Sequence, residues 1–228
     1  MYIVEGNVGA GKSTFLTLLE KHISTVSIAL EPVDTWQHQM YGQSLLANFY
    51  QDPHRWAYTF EHLTLISRVQ NHLAEQTNNH PLRIMERSIY SGNYVFARNS
   101  YESGFLTGTE WRVYQDWFTL LTEQKCVAPQ GFIYLRVSPE VAYTRVKKRN
   151  RLSEKNLTLA YLRHIHEKHE AFLIGKHAIC SALKDVPVLV IDVDKEFETD
   201  EQMLNKHIAR IQTFFKLKDN ARERALFP

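Results

Sequence analysis

Gly6-Asn7-Val8-Gly9-Ala10-Gly11-Lys12-Ser13 reads G-x-x-x-x-G-K-S, the spacing of a phosphate-cradling loop. Its three glycines let the backbone turn tightly enough for successive N–H groups to face one anion. Lys12 adds a mobile positive charge, and the Ser13 hydroxyl is a ligand suited to Mg²⁺. The flanks agree with this reading. Tyr2–Glu5 is a short apolar strand, and Thr14 opens a helix whose N-terminal dipole points at the same anion. A glycine-rich turn with an incidental lysine would explain neither flank, so Gly6–Thr14 is expected to hold a nucleoside triphosphate.

Other residues with chemical potential sit at the ends of apolar runs. Glu31 follows Ser27–Leu30, and Glu86-Arg87 closes Leu82–Glu86. In an open α/β sheet ligands bind at the carboxyl ends of strands. An acid there can position a nucleophile or face Mg²⁺. A structural ion pair between Glu31 and Arg87 is the blander reading and is compatible with the first. Arg145-Val146-Lys147-Lys148-Arg149-Asn150-Arg151 carries five cations in seven residues. Arg145 and Arg149 share a helix face by i,i+4 spacing, and Arg151 falls in the loop beyond. His164-Ile165-His166-Glu167-Lys168-His169 looks like a metal cluster, but H-E-x-x-H would need histidine at Glu170, so no metal is assigned to it.

The elements that must position these groups alternate. Strands are expected at Tyr2–Glu5, Ser27–Leu30, Leu82–Glu86, Phe132–Val137 and Val188–Asp192. Helices are expected at Lys12–His22, Gln43–Tyr50, Arg55–Asn78, Ile89–Arg98, Glu110–Lys125, Pro139–Arg149, Leu157–Ser181 and Glu201–Phe215. Continuous apolar strands between long amphipathic helices imply an α/β fold, a five-stranded parallel sheet covered on both faces. Asp52-Pro53 and Ser138-Pro139 are helix entries, and Asn78-Asn79-His80-Pro81 is a stop. With 228 residues and 44% hydrophobic content the chain suits one domain, with a polar, loosely docked tail at Lys216–Pro228. Lys+Arg 27 against Asp+Glu 25 argues against a nucleic-acid partner. No apolar run approaches the roughly 18 residues that span a bilayer. Cys126 and Cys180, far apart, suit a reducing compartment, and a first strand beginning at residue 2 leaves no leader in this chain, so a cytoplasmic protein is expected.

Glu31-Pro32-Val33-Asp34-Thr35-Trp36 and Glu86-Arg87-Ser88-Ile89-Tyr90-Ser91, together with the Gly6–Ser13 loop, resemble the deoxyribonucleoside kinase family over essentially the whole chain. The resemblance implies transfer of the ATP γ-phosphate, with Mg²⁺, to the 5′-hydroxyl of a deoxyribonucleoside. It implies that Glu31 accepts the hydroxyl proton, that Arg87 bridges Glu31 and the transferring phosphate, and that Ser13 and Glu86 hold the metal. The basic run becomes a lid, about 145–156, in which Arg145, Arg149 and Arg151 clamp the phosphates as lysines cannot. Adenine is expected against Asp194, Glu196 and Phe197. The sugar is expected at Tyr50 and Glu154, with Tyr161 over its 2′ edge. Trp36, Phe60 and Phe96 are expected around the base. The long helices Ile89–Arg98 and Arg55–Asn78 are expected to form a homodimer.

The base site departs from the family pattern. Glu61 stands where the family typically has Gln, and Gly92 where purine- and cytosine-accepting relatives carry Asp. Thymidine-accepting relatives have a small residue there but usually lack Arg68. Glu61, Leu65 and Arg68 lie on one helix face. Two ionised carboxylate oxygens on Glu61 match the adjacent N1–H and N2–H₂ donors of guanine, and Arg68 then suits its O6 and N7 acceptors. Deoxyguanosine is the expected substrate, with thymidine or a broad range as the alternative. The blander reading pairs Glu61 with Arg68. A nucleoside monophosphate kinase and a non-catalytic structural relative are the rival functions. E-P-V-x-x-W speaks against the former, and the joint presence of Lys12, Glu31, Glu86 and Arg87 against the latter.

Overall fold

The computed structural model describes residues 1–37 and 44–226, with side chains of 37 and 216–226 left aside. Five parallel strands, β1 (Tyr2–Gly6), β2 (Val26–Ala29), β3 (Leu82–Glu86), β4 (Gly131–Arg136) and β5 (Val188–Asp192), form one sheet in the order β2-β3-β1-β4-β5. The expected strands hold to within a residue at each end. β1 lies at the centre and is buried along its whole length, as a strand covered on both faces must be. Its neighbours are held in register, with Val4 opposite Glu86 and Gly6 opposite Leu135, while Ala29 faces Met85. That register brings the ends of β1, β2 and β3 to one edge of the sheet.

Helices α1 (Lys12–His22), α2 (Val33–Gln37), α3 (Leu45–Gln51), α4 (Pro53–Thr77), α5 (Ile89–Ser91), α6 (Arg98–Glu102), α7 (Gly108–Gln124), α8 (Pro139–Arg149), α9 (Leu159–His169) and α10 (Glu201–Leu226) surround it. Their starts follow local chemistry. The Asp52 side chain caps α4 through the Arg55 N–H at 3.2 Å, with Pro53 in the first turn. Thr107 and Glu110 form a reciprocal capping box at α7.

Four expectations change. Ile89–Arg98 is not a plain helix: Gly92–Ala97 is a π-turn, which widens the coil. This segment is also mostly buried within the chain, so it has little surface to offer a second copy. The expected Leu157–Ser181 helix ends earlier, in a π-turn at Glu170–Ile174, because Lys176 and Ala178 adopt positive φ. The short helix α2 lies where no helix was anticipated, and α10 continues through Leu226 into the segment expected to be loose; how that segment's side chains dock lies outside the described residues, as does the start of the expected Gln43–Tyr50 helix.

Two apolar layers cover the sheet. One gathers Phe15, Leu16, Leu19 and Ile211 against β1 and β4, and the other Leu65, Ile89, Tyr114 and Phe172. A third cluster of Trp36, Phe49, Ala57, Phe60 and Leu106 lies beyond the sheet edge and supports α3 and α4. Among the described residues no helix is long and apolar enough to cross a membrane.

Candidate active site

The loop Gly6–Ser13 turns directly out of β1 into α1. Gly9 and Gly11 both take φ of 83°, a region closed to most side chains. A Cβ on Gly9 would lie 2.5 Å from the Ala142 carbonyl oxygen, so α8 packs directly on the loop backbone. Ala10 is fully buried and serves the core rather than the cleft. The Asn7 side chain ties the loop to α9 through the Leu162 carbonyl at 2.8 Å, and accepts from the Val8 N–H at 2.8 Å. Lys12 bends back over the loop, donating to the Asn7 and Gly6 carbonyls at 3.0 and 3.3 Å. Burial, then the nearby Arg87, pushes its ammonium down to about 7. A polyphosphate placed in this cradle would reverse that shift by supplying the missing counter-charge.

Beside Lys12, the Ser13 hydroxyl sits 3.0 Å from both oxygens of Glu86. Two hard oxygen donors converging on a phosphate loop fit Mg²⁺, which keeps several waters and takes few protein ligands. Glu31, just beyond β2, is clamped. Arg68 donates to its Oε1 from Nε and Nη2 at 3.1 and 2.7 Å, and Arg87 Nε donates to Oε2 at 3.1 Å. Burial alone would raise the Glu31 pKa, but Arg68, Arg87 and Lys12 outweigh it and hold it below the usual carboxylate range. Arg87 itself adopts φ of 62°, a strained conformation for a side chain this large. Its backbone N–H is held by the Val4 carbonyl at 2.9 Å. Behind it the buried Glu5 accepts from Ser88 Oγ at 2.6 Å.

These groups open onto one cleft of about 300 Å³. Val8, Gly9, Gly11, Lys12, Ser13 and Thr14 line one end; Trp36, Tyr50, Phe60, Glu61, Arg68, Phe96, Glu154 and Tyr161 line the other, with Glu31, Glu86 and Arg87 between them. Tyr50 and Tyr161 meet edge to face at 5.9 Å. Phe60 stacks on Phe49 at 4.9 Å. The π-turn carries Phe96 under the guanidinium groups of Arg87 and Arg68, at 4.6 and 5.3 Å from its ring. Arg149 and Arg151 reach the cleft and share Glu154, at 2.6 and 3.1 Å.

Some expected residues lie elsewhere. Arg145 is one turn back along α8 and donates to the carbonyls of Asp194 and Lys195 at 3.3 Å, away from the cleft. Asp194 also accepts from the Ser138 N–H at 2.6 Å, and Glu196 caps the N–H groups of Phe197 and Glu198. Phe197 packs behind the phosphate loop on Phe15 and close to Gly11. Gly92 does not line the cleft; it backs onto Arg68, whose Nη1 would be 2.9 Å from a Cβ there. Glu61 and Arg68 do not pair with each other. Glu61 Oε1 accepts from Ser100 Oγ at 2.7 Å, while Oε2 is buried with no partner among the described residues. Burial pushes the Glu61 carboxyl up to about 7, against smaller opposing effects of Ser100 and Arg68.

Val33, Leu46, Phe49 and Thr64 also line the cleft and were not anticipated. Thr64 follows Glu61 by three residues on one helix face, a usable signal; Ser100, distant in sequence from Glu61, carries none. In the His164–His169 run, His169 is buried, bonds the Ile165 carbonyl and stacks on Tyr134. Among the described residues no three metal-ligating side chains converge.

Comparison with known proteins agrees with this geometry. A deoxynucleoside kinase family model matches residues 2–216. The chain belongs to the deoxynucleoside kinase family. It is therefore a kinase of the P-loop α/β fold, using a nucleotide phosphate donor and a deoxynucleoside acceptor. It is 38% identical to deoxycytidine kinase 2 of Gallus gallus and 35% identical to the mitochondrial deoxyguanosine kinase of Xenopus laevis, in each case over 92% of this chain and 88% of the relative. Identity to the deoxycytidine kinase of Homo sapiens is 33%, over 88% of this chain and 86% of that protein.

Proposed function

We propose that this kinase transfers the γ-phosphate of ATP, with Mg²⁺, to the 5′-hydroxyl of a deoxyribonucleoside. The reading rests on one observation: Lys12, Glu31, Glu86 and Arg87 converge in a cleft whose far end is aromatic. Lys12 and the loop amides hold the donor phosphates, and Ser13 and Glu86 hold Mg²⁺, which neutralises phosphate charge when bound. Glu31 orients the 5′-hydroxyl and accepts its proton, Arg87 spans Glu31 and the phosphate, and Arg149 and Arg151 close the lid. Arg145 acts from the adenine side, on the Asp194–Phe197 loop. Tyr50, Glu154 and Tyr161 take the sugar, and Trp36, Phe60 and Phe96 the base.

Deoxyguanosine is the favoured acceptor. An ionised Glu61 offers guanine N1–H and N2–H₂ two oxygens, of which Oε1 keeps a second lone pair beside Ser100. Arg68 has only Nη1 uncommitted for a base acceptor, since Nε and Nη2 are on Glu31. Gly92, which backs onto Arg68 and leaves it without the acidic neighbour of purine- and cytosine-accepting relatives, supports thymidine or a broad range as the second reading. The two free cysteines suit a cytoplasmic setting. A single domain working as a homodimer completes the proposal, with Ile66 on α4 and Trp117 and Leu120 on α7 as its exposed apolar face.

An ADP-release screen over the four deoxyribonucleosides and their monophosphates tests this. Turnover with nucleosides alone is expected. Turnover with monophosphates alone would make the protein a nucleotide kinase, and deoxycytidine winning outright above the Glu61 titration would overturn the guanine preference.

A further inference from the structure

Glu61 occupies an unusual setting for a residue on the wall of a ligand cleft. It is 2% exposed, it lines the base end, and among the described residues only one of its two oxygens has a partner. The groups around it come from four helices. On α4, Arg68 carries the nearest positive charge, but two of its three nitrogens are spent on Glu31. On α6, Ser100 donates its hydroxyl to Oε1. On α7, Tyr114 is fully buried and its hydroxyl has no partner among the described residues. On α9, Tyr161 is a neutral phenol whose ionisation burial strongly opposes. Among the described residues no cation therefore bonds Glu61 directly. A buried carboxyl with one hydrogen bond must satisfy its other oxygen with a proton or with the ligand.

We propose, building on the kinase reading above, that Glu61 is a proton-controlled base reader whose ionised form takes guanine and whose neutral form takes cytosine or adenine. The two protonation states present different edges. Ionised, the side chain offers acceptors only, which suit the paired N1–H and N2–H₂ donors of guanine. Protonated, it offers one O–H donor and one acceptor oxygen, as an amide does. That edge suits the N3 acceptor and N4–H₂ donor of cytosine, or N1 and N6–H₂ of adenine. Thymine, with N3–H between two carbonyls, also suits the neutral form, which accepts from N3–H and donates its O–H to a carbonyl, whereas the ionised form sets an oxygen against that carbonyl. Ser100 orients the switch: it donates to Oε1, so the proton resides on Oε2, while the base meets Oε2 and the second lone pair of Oε1. Burial places the carboxyl at about 7, where modest pH changes alter its charge. Proton balance follows. Guanine nucleoside binding releases a proton from the neutral fraction, and cytosine or adenine nucleoside binding takes one up on the ionised fraction.

The experiment is competition kinetics, deoxyguanosine against deoxycytidine and deoxyadenosine, from about pH 6 to about pH 8.5. Competing substrates share the phosphate donor and Glu31, so those titrations cancel in the ratio of kcat/KM values. The guanine-to-cytosine and guanine-to-adenine ratios are expected to rise roughly tenfold or more across the range, approaching about tenfold per pH unit on both sides of the titration where each base takes one form alone. Glu61→Gln should flatten both ratios. Ser100→Ala, by removing a hydrogen bond that favours the ionised form, should move the rise to higher pH. Calorimetry in buffers of different ionisation enthalpy should show proton release with deoxyguanosine and uptake with deoxycytidine near neutrality. A flat ratio in the unmodified enzyme, the same slope in Glu61→Gln, or no proton linkage overturns the proposal while leaving the kinase reading intact. Failure to phosphorylate any deoxyribonucleoside overturns both.

Discussion

Replacing Glu61 by Gln should stabilise the ligand-free protein, and by an amount that depends on pH in a specified direction. The carboxyl is fully buried and its pKa is raised from 4.5 to about 7, with burial as the largest cause. Between these values the folded protein holds a proton that the unfolded chain has released. The stability contributed by the neutral carboxyl is therefore complete below about 4.5 and is lost as pH rises through about 7. A shift of two to three units at about 1.4 kcal/mol each amounts to about 3 kcal/mol. Glutamine keeps the shape and the Ser100 acceptor but never titrates. The variant's advantage should thus grow from near zero at about pH 4.5 to about 3 kcal/mol above about pH 8, or roughly 6–12 °C in Tm for a chain of this size. Thermal melts of both proteins across that range measure it, and taking the difference cancels every other titration. A difference that stays constant with pH would refute the buried-carboxyl argument, whatever its absolute value.

Glu31→Gln should retain binding of a non-hydrolysable ATP analogue yet lose on the order of 10²-fold in kcat; activity within a few-fold would remove Glu31 as the base. Gly92→Asp places a Cβ 2.9 Å from Arg68 Nη1, so the guanidinium must pivot toward the new carboxylate and away from Glu31. The acid limb of kcat should then move to higher pH, and the ranking of deoxyribonucleosides should change; an unaltered profile and ranking would mean Arg68 does not link the base site to Glu31. Arg149→Lys should lower kcat by about tenfold or more, because a point charge cannot reproduce a bidentate fork, and full activity would exclude it from the lid. Lys12→Ala should abolish measurable turnover, with nucleoside binding by fluorescence titration preserved.

The phosphate loop was legible because its chemistry is local. Gly6–Ser13 is contiguous, the positive φ angles at Gly9 and Gly11 require glycine, and the strand and helix on either side need only short-range pattern. Glu31 and Glu86-Arg87 were legible for a related reason: parallel strands in one sheet must deliver their carboxyl ends to one edge, and the register of β1, β2 and β3 does so. The α/β class follows from the same alternation of apolar strands and amphipathic helices. What the chain alone left open is the choice of partner among buried polar side chains. Helix periodicity placed Glu61 and Arg68 on one face of α4, but it could not say that Arg68 reaches Glu31, 37 residues away, while Glu61 takes Ser100, 39 residues away. Those pairings depend on how α4, α5, α6 and α7 pack, and on the π-turn at Gly92–Ala97 that sets the position of Phe96. The titration of Glu61 is decided at the same level. Any glutamate has the same carboxyl, and only the tertiary enclosure that excludes water while committing Arg68 to Glu31 holds it near neutrality.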